Sequence, residues 1–284
     1  MSILTQKKIW LSSIKRMNDR LEGKVIEEAV AAHFLEPEVV QRVGQEGAPF
    51  GGGYGGNLGG DYESASRLLF ACSFSAQRDQ AVQWMSYAHQ GKGFSIGFDE
   101  DLLWGRRTER EAICEQEFYG LANVWLDPDS ELVLTPVVYY DDAVKSEIMK
   151  IIEQYAKAAH ENSAPARMGS AAESYLRRFR GVMKDASFRH EGEYRLIYRA
   201  ADWSLSAQFD RECNINEPVQ WRSSVYGMVP YFRFEFDPKA VTEVWIGPGN
   251  IDALHGNRTF VEAFLKANGL EHVNVYVSTS AYRG

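Results

Sequence analysis

Apolar residues recur along the chain at two spacings. At a step of about four, Ile26, Val30 and Phe34 fall on one line thickened by Leu21, Val25, Ala29 and Ala32, which predicts a helix over 22–34 with Asp19 as its cap. The same spacing predicts a helix through Val144, Ile148, Ile151, Ile152 and Tyr155, and another through Ala172, Tyr175, Leu176, Phe179, Val182 and Met183. A further helix opens at residues 77–80 and runs through Ala81, Trp84, Met85 and Ala88 until Gly91 and Gly93 end it, and one more covers Phe260 to Leu265.

The other spacing is alternation, or a short apolar run, which marks strands. It predicts strands over 67–75, 93–98, 131–140, 193–199, 231–236, 241–246 and 273–277, with Phe232, Phe234 and Phe236 on one face. Helices fall mostly early and strands mostly late, without the steady βαβ alternation of a doubly wound sheet. The expected class is α+β, a mixed or antiparallel sheet core with flanking helices, in a single domain over 1–284. Residues 44–60 interrupt the pattern. They hold nine of the 24 glycines, too much backbone entropy for a regular element, and a loop is expected there.

Composition narrows the class further. With 284 residues, 45% hydrophobic and 25% charged, the chain has the profile of a soluble globular protein. Thirty-nine acidic against 31 basic side chains leave a net charge of −8, which disfavours a general nucleic-acid scaffold. Cys72, Cys114 and Cys213 form no Cys-x-x-Cys pair, so neither a disulfide framework nor a zinc site is indicated. No signal-type or membrane-spanning run is present, and a cytoplasmic protein with no membrane partner is expected.

Several motifs fail on context. Gly51, Gly53 and Gly56 satisfy Gly-x-Gly-x-x-Gly, but no strand enters the segment and no apolar helix leaves it, so a flexible loop is the expected reading. The histidines show no metal-ligand spacing and no metal is expected. A Gly-x-Ser-x-Gly elbow is absent.

The segment RHEGEYRLIYR, 189–199, is more informative. A strand through its whole length puts Glu191, Glu193, Arg195 and Ile197 on one face and Tyr194, Leu196 and Tyr198 on the other. The two carboxylates then stand about 6.6 Å apart, and Arg195 keeps one of them ionised. An ionised carboxylate can stabilise a cationic, sugar-like transition state or orient a ribose hydroxyl. The plainer alternative is a solvated strand face carrying a Glu–Arg pair of little energetic weight. In the segment from Cys72 to Phe98, Ser73 and Ser75 share a strand face, while Trp84 and Tyr87 stand on the following helix, where they can wall a small-molecule pocket. Trp84 as plain core is the alternative.

These segments, taken with KIWLSSIKRMNDRLEG near the start and EVWIGPG and NVYVSTSAYR at the end, resemble the bacterial family called domain of unknown function 2971. The resemblance implies a single intracellular domain and supplies no established reaction. Members usually begin with a short strand of Tyr-His-Tyr-Thr type ahead of the segment that opens this chain, so the sequence is expected to start about one strand late. The family layout is similar to the ADP-ribosyltransferase-like fold, with an N-terminal strand bearing His or Arg, a middle strand bearing Ser or Tyr and a late strand bearing Glu. On that analogy NAD is the substrate, and Glu193 bonds the nicotinamide-ribose hydroxyls. Glu191 orients or deprotonates the acceptor, Tyr87 or Trp84 stacks on nicotinamide, and Ser73 or Ser75 supports the Glu193 carboxylate.

Three functions are therefore carried forward. The first is a transferase or glycohydrolase acting on NAD or a related nucleotide, a toxin or phage-defence effector with a macromolecular acceptor. The second is a non-catalytic nucleotide sensor or interaction protein on the same fold, favoured by the missing strand. The third, a metal-dependent nuclease using the two glutamates, is disfavoured by the acidic balance and the lack of an Asp plus Glu-x-Lys arrangement.

Overall fold

A computed structural model describes residues 1–14, 69–104, 132–150, 181–200, 214–225, 227–254 and 258–282. The helix expected over 22–34, the glycine-rich segment 44–60, most of the helix expected over 172–183, and Cys114 and Cys213 lie outside these residues.

The architecture is α+β. Its centre is a six-stranded sheet in the order β4-β7-β2-β1-β9-β8, built from β1 (Lys8–Ser13), β2 (Leu69–Ser75), β4 (Leu132–Pro136), β7 (Glu193–Arg199), β8 (Gln220–Ser224) and β9 (Gly227–Glu235). Every pairing in it is antiparallel. A second sheet, β11-β10-β3, joins β3 (Phe94–Phe98), β10 (Val241–Ile246) and β11 (Asn274–Val277), with β10 and β11 parallel. The parallel pair needs a crossover, and the helix Thr259–Ala267 lies along that connection, burying Val261 and Leu265. A third, two-stranded sheet pairs β5 (Val138–Tyr140) with β6 (Met183–Asp185).

The large sheet has two unlike faces because its strands alternate. On one face Leu11, Phe70, Leu134, Leu196, Tyr198, Phe232 and Phe234 are buried, with the Phe232 ring edge-on to both Phe70 and Tyr198. Phe98 of β3 packs between Phe74 and Phe236, tying the second sheet to this core. The pairing registers put Thr135, Glu193, Arg195, Ser73, Ser75, Ser12, Trp10, Tyr231 and Arg233 on the opposite face. That second face also buries Leu69, Ala71, Val133 and Ile197, so its polar side chains occupy one end of the strands rather than the whole face.

Three differences from the sequence expectations have local causes. Residues 131–140 do not form one strand: Pro136 has no N–H for the ladder, β4 ends there, and Val138 turns to bond the Val182 carbonyl in the small sheet. KIWLSS supplies β1, so strand structure starts at the N-terminal end as well as late in the chain. β8 was not expected either, because QWRSS has a single apolar residue among its five positions. Residues 142–150 are helical as predicted, with Ile148 buried.

Candidate functional site

Gly192 decides the local geometry of the HEGE segment. It sits at φ 51°, a left-handed conformation that glycine adopts without a Cβ clash, and it separates a 3-10 helix (Ala186–Glu191) from β7. Asp185 caps that helix by accepting the Ser187 N–H. Glu191 is thus not on the strand, contrary to the expectation of one continuous face from 191 to 197. The two carboxylates still converge, through a residue that spacing did not single out.

That residue is Lys184, on β6. Its ammonium donates to Glu191 Oε2 at 2.5 Å and to Glu193 Oε2 at 2.8 Å, and Arg195 Nε donates to Glu193 Oε1 at 2.7 Å. Arg195 Nη1 reaches the Gly181 carbonyl at 2.5 Å, and the Tyr87 hydroxyl donates to Glu191 Oε1 at 3.0 Å. The result is a line of alternating donors and acceptors: Tyr87, Glu191, Lys184, Glu193, Arg195 and a backbone carbonyl. Lys184, Glu191, Glu193 and Arg195 are all buried, so the alternative of a solvated Glu–Arg face does not hold. Charges taken this far from water survive only when matched, and here two carboxylates face two cations.

The titration directions follow from this arrangement. Burial pushes the Glu193 carboxyl upward, but the Arg195 charge and hydrogen bonds from Arg195, Lys184 and Ser73 outweigh it and hold the group below its ordinary range. Burial lowers Lys184, yet its two glutamates more than compensate and raise it. The Tyr87 phenol is pushed up to about 12, first by burial and then by its bond to Glu191. Tyr87 therefore acts as a neutral donor, and Glu193 stands as an ionised acceptor.

Ser75 lies opposite Glu193 and Ser73 opposite Arg195 in the β2–β7 register, as the shared strand face requires. The Ser75 hydroxyl donates to the Glu191 carbonyl at 2.7 Å, fixing the 3-10 helix to β2. Gln83 Nε2 approaches the same carbonyl at 3.4 Å from the helix Ala81–Tyr87. Trp84 does not join this cluster. Its indole N–H donates to Asp79 Oδ1 at 2.7 Å, its ring is buried, and Asp79 also accepts bonds from Ser278 and Thr279. Trp84 is a core residue that anchors the C-terminal segment beside the helix carrying Tyr87.

Tyr139 is a second residue that spacing does not single out: its hydroxyl accepts the Glu193 backbone N–H at 2.8 Å, supporting the first residue of β7. The ring of Phe188 lies 4.6 Å from the Lys184 ammonium, a cation–π contact inside the segment KDASFRHEGEYRLIY. Among the described residues no group of three or more His, Cys, Asp and Glu is placed to hold a metal ion. The position a bridging cation would take between Glu191 and Glu193 is filled by the Lys184 ammonium. No helix of the described residues is long and apolar enough to cross a membrane.

Comparison with known proteins agrees with the resemblance carried by these motifs. A family model described as "Protein of unknown function (DUF2971)" matches residues 83–196, which take in Tyr87, Lys184 and both glutamates, while Ser73, Ser75 and the quoted segments near the two ends lie outside the match. No curated protein and no solved structure matches the chain.

Proposed function

We propose that this protein processes NAD or a related nucleotide in the manner of ADP-ribosyltransferase-like enzymes, with Glu193 as the catalytic carboxylate. The observation that supports this most is the neighbourhood of Glu193. An ionised glutamate at the first position of its strand lies beside a strand presenting Ser73 and Ser75, the order of residue types that the analogy expects. Ribose hydroxyls displace Lys184 at Oε2 and donate to the carboxylate. The glycosidic C–N bond then breaks, its electron pair leaves with nicotinamide, and the negative charge of Glu193 stabilises the oxocarbenium-like centre. An acceptor hydroxyl or water attacks that carbon, and Glu191 takes its proton. Tyr87, exposed beside this point, is the ring available to nicotinamide.

The test is incubation with nicotinamide-labelled NAD and candidate acceptors. Release of nicotinamide that Glu193→Gln abolishes supports the reading. No release under any condition, with Glu193→Gln indistinguishable from wild type, overturns it.

A second reading, a nucleotide sensor without turnover, is favoured by one observation. Both Glu193 oxygens are already held by cations, Lys184 at Oε2 and Arg195 at Oε1. A thermal shift with NAD or ADP-ribose in the absence of nicotinamide release selects this reading.

A further inference from the structure

Polar and aromatic side chains recur on the Glu193 side of the large sheet beyond β7 and β2. Ser12 pairs with Ala71, and Ala71 pairs with Ile197, so Ser12 and Trp10 lie on the Glu193 side. From β7 the face crosses β2 to β1, about 10 Å at roughly 4.8 Å per strand, with β9 one strand further. On β1, Trp10 is 40% exposed, and its ring lies over Tyr231 at a centroid distance of 4.6 Å and an interplanar angle of 31°.

Two arginines lie on the same sheet face as this exposed indole. Arg233 is the register partner of Trp10, and Arg222 reaches Ser12 Oγ with one long bond of 3.4 Å. Arg222 makes no ion pair with a carboxylate of the described residues, and its buried Nε has no hydrogen-bond partner. Arg233 Nε is likewise unpartnered. The nearby carboxylates are already engaged: Glu217 by Lys8 and Arg233, and Glu235 by Asn216. A half-buried guanidinium without a counter-anion among the described residues, on the same face as a partly exposed aromatic ring, suits one class of ligand: a phosphate carried on a flat heterocycle.

The β1–β2 ladder is short on the Trp10 side. β1 and β2 share only the pairs Ser12–Ala71 and Ser13–Phe70, whereas β2–β7 and β1–β9 stay paired along their lengths. Toward Trp10 on one strand and Ser73 on the other, no ladder closes the gap.

We infer that Trp10, backed by Tyr231, and Arg222, assisted by Arg233, form a subsite for the base and phosphate of a nucleotide. It lies on the same sheet face as Glu193 and would hold the adenine-nucleotide half of the substrate. This inference rests on the proposed nucleotide substrate and assigns the part of the ligand that Glu193 does not touch.

The experiment is titration calorimetry on the full chain with AMP, ADP-ribose, inorganic phosphate and a short single-stranded oligonucleotide. Wild type, Trp10→Ala, Trp10→Phe and Arg222→Gln are compared, with nicotinamide release from NAD measured in parallel. AMP and ADP-ribose are expected to bind wild type. Trp10→Ala and Arg222→Gln should each weaken both by about tenfold or more, with Trp10→Phe restoring part of the loss. Wild type that ignores AMP, variants that bind it unchanged, phosphate bound as tightly as AMP, or binding confined to the oligonucleotide each overturn the subsite. If AMP binding depends on Trp10 but no nicotinamide is released, the subsite stands and the catalytic reading falls. Nicotinamide release with Trp10-independent AMP binding gives the reverse.

Discussion

Arg195 Nε donates to Glu193 Oε1 at 2.7 Å with the two side chains 0% and 5% exposed. Neighbours two apart on a strand share a face, so the contact follows from β7 itself, but its burial does not. Burial comes from Lys184 and Gly181, which close over the pair from the small sheet and its leading turn. The four charges of Lys184, Glu191, Glu193 and Arg195 thus depend on one another.

Removing one member exposes that dependence. Lys184→Ala leaves Glu191 and Glu193 facing each other in a site that water barely reaches, and should cost about 3–5 kcal/mol. Urea unfolding measures it. A loss below 1 kcal/mol, the range of surface pairs, would mean that the cluster is hydrated in solution.

The same cluster sets a pH dependence. Glu193 is held below its ordinary value of 4.5, so its stabilisation is complete above that value and is lost as pH falls through the lowered one. Lys184 is raised above 10.5, so its contribution is complete below that value and is lost only as pH climbs through the raised one. Unfolding free energy should fall on the acid side more steeply for wild type than for Glu193→Gln. Equal acid slopes for the two proteins would remove Glu193 from the linkage.

Cys72 offers a probe that does not depend on function. Burial, with the Glu193 charge added, pushes its thiol up to about 12, so little thiolate exists at pH 8. Iodoacetamide should label the Cys72 peptide slowly in the native protein and rapidly in urea, as read by mass spectrometry. Rapid native labelling would show that the half-buried thiol is not held protonated by its surroundings.

Two glycines are tight for different reasons. A Cβ on Gly247 would strike the Gly91 carbonyl, which is backbone, whereas one on Gly97 would strike the Glu243 side chain, which can rotate away. Gly247→Ala should therefore cost about 1–3 kcal/mol or more, and Gly97→Ala less, with the Arg78–Glu243 pair broken as its side effect. The reverse order in thermal or urea unfolding would refute the assigned contacts.

These contacts also mark where pattern reading stops. The alternation of EYRLIYR placed β7 to the residue, and the helical spacing around Trp84 placed its helix, because both depend on local periodicity. Lys184 stayed hidden because β6 is three residues long and its partner β5 lies far away in the chain. Glu191 was misplaced because one left-handed glycine resets the chain direction without altering the apparent alternation. Trp84 and Tyr87 looked equivalent at helical spacing, and only Asp79 and Glu191 tell them apart.

The central place of β1 has a consequence for how the molecule is made. Its ladder partner β9 is synthesised more than 200 residues later, and its other neighbour, β2, follows after an interval of more than 50. On the ribosome β2 becomes available long before β9, so the edge of β1 that meets β9 stays unpaired by its final partner until the β8–β9 hairpin assembles locally near the end. Docking that hairpin on β1 is the long-range step that completes this sheet, and the chain must keep the open edge of KIWLSS from other partners until then.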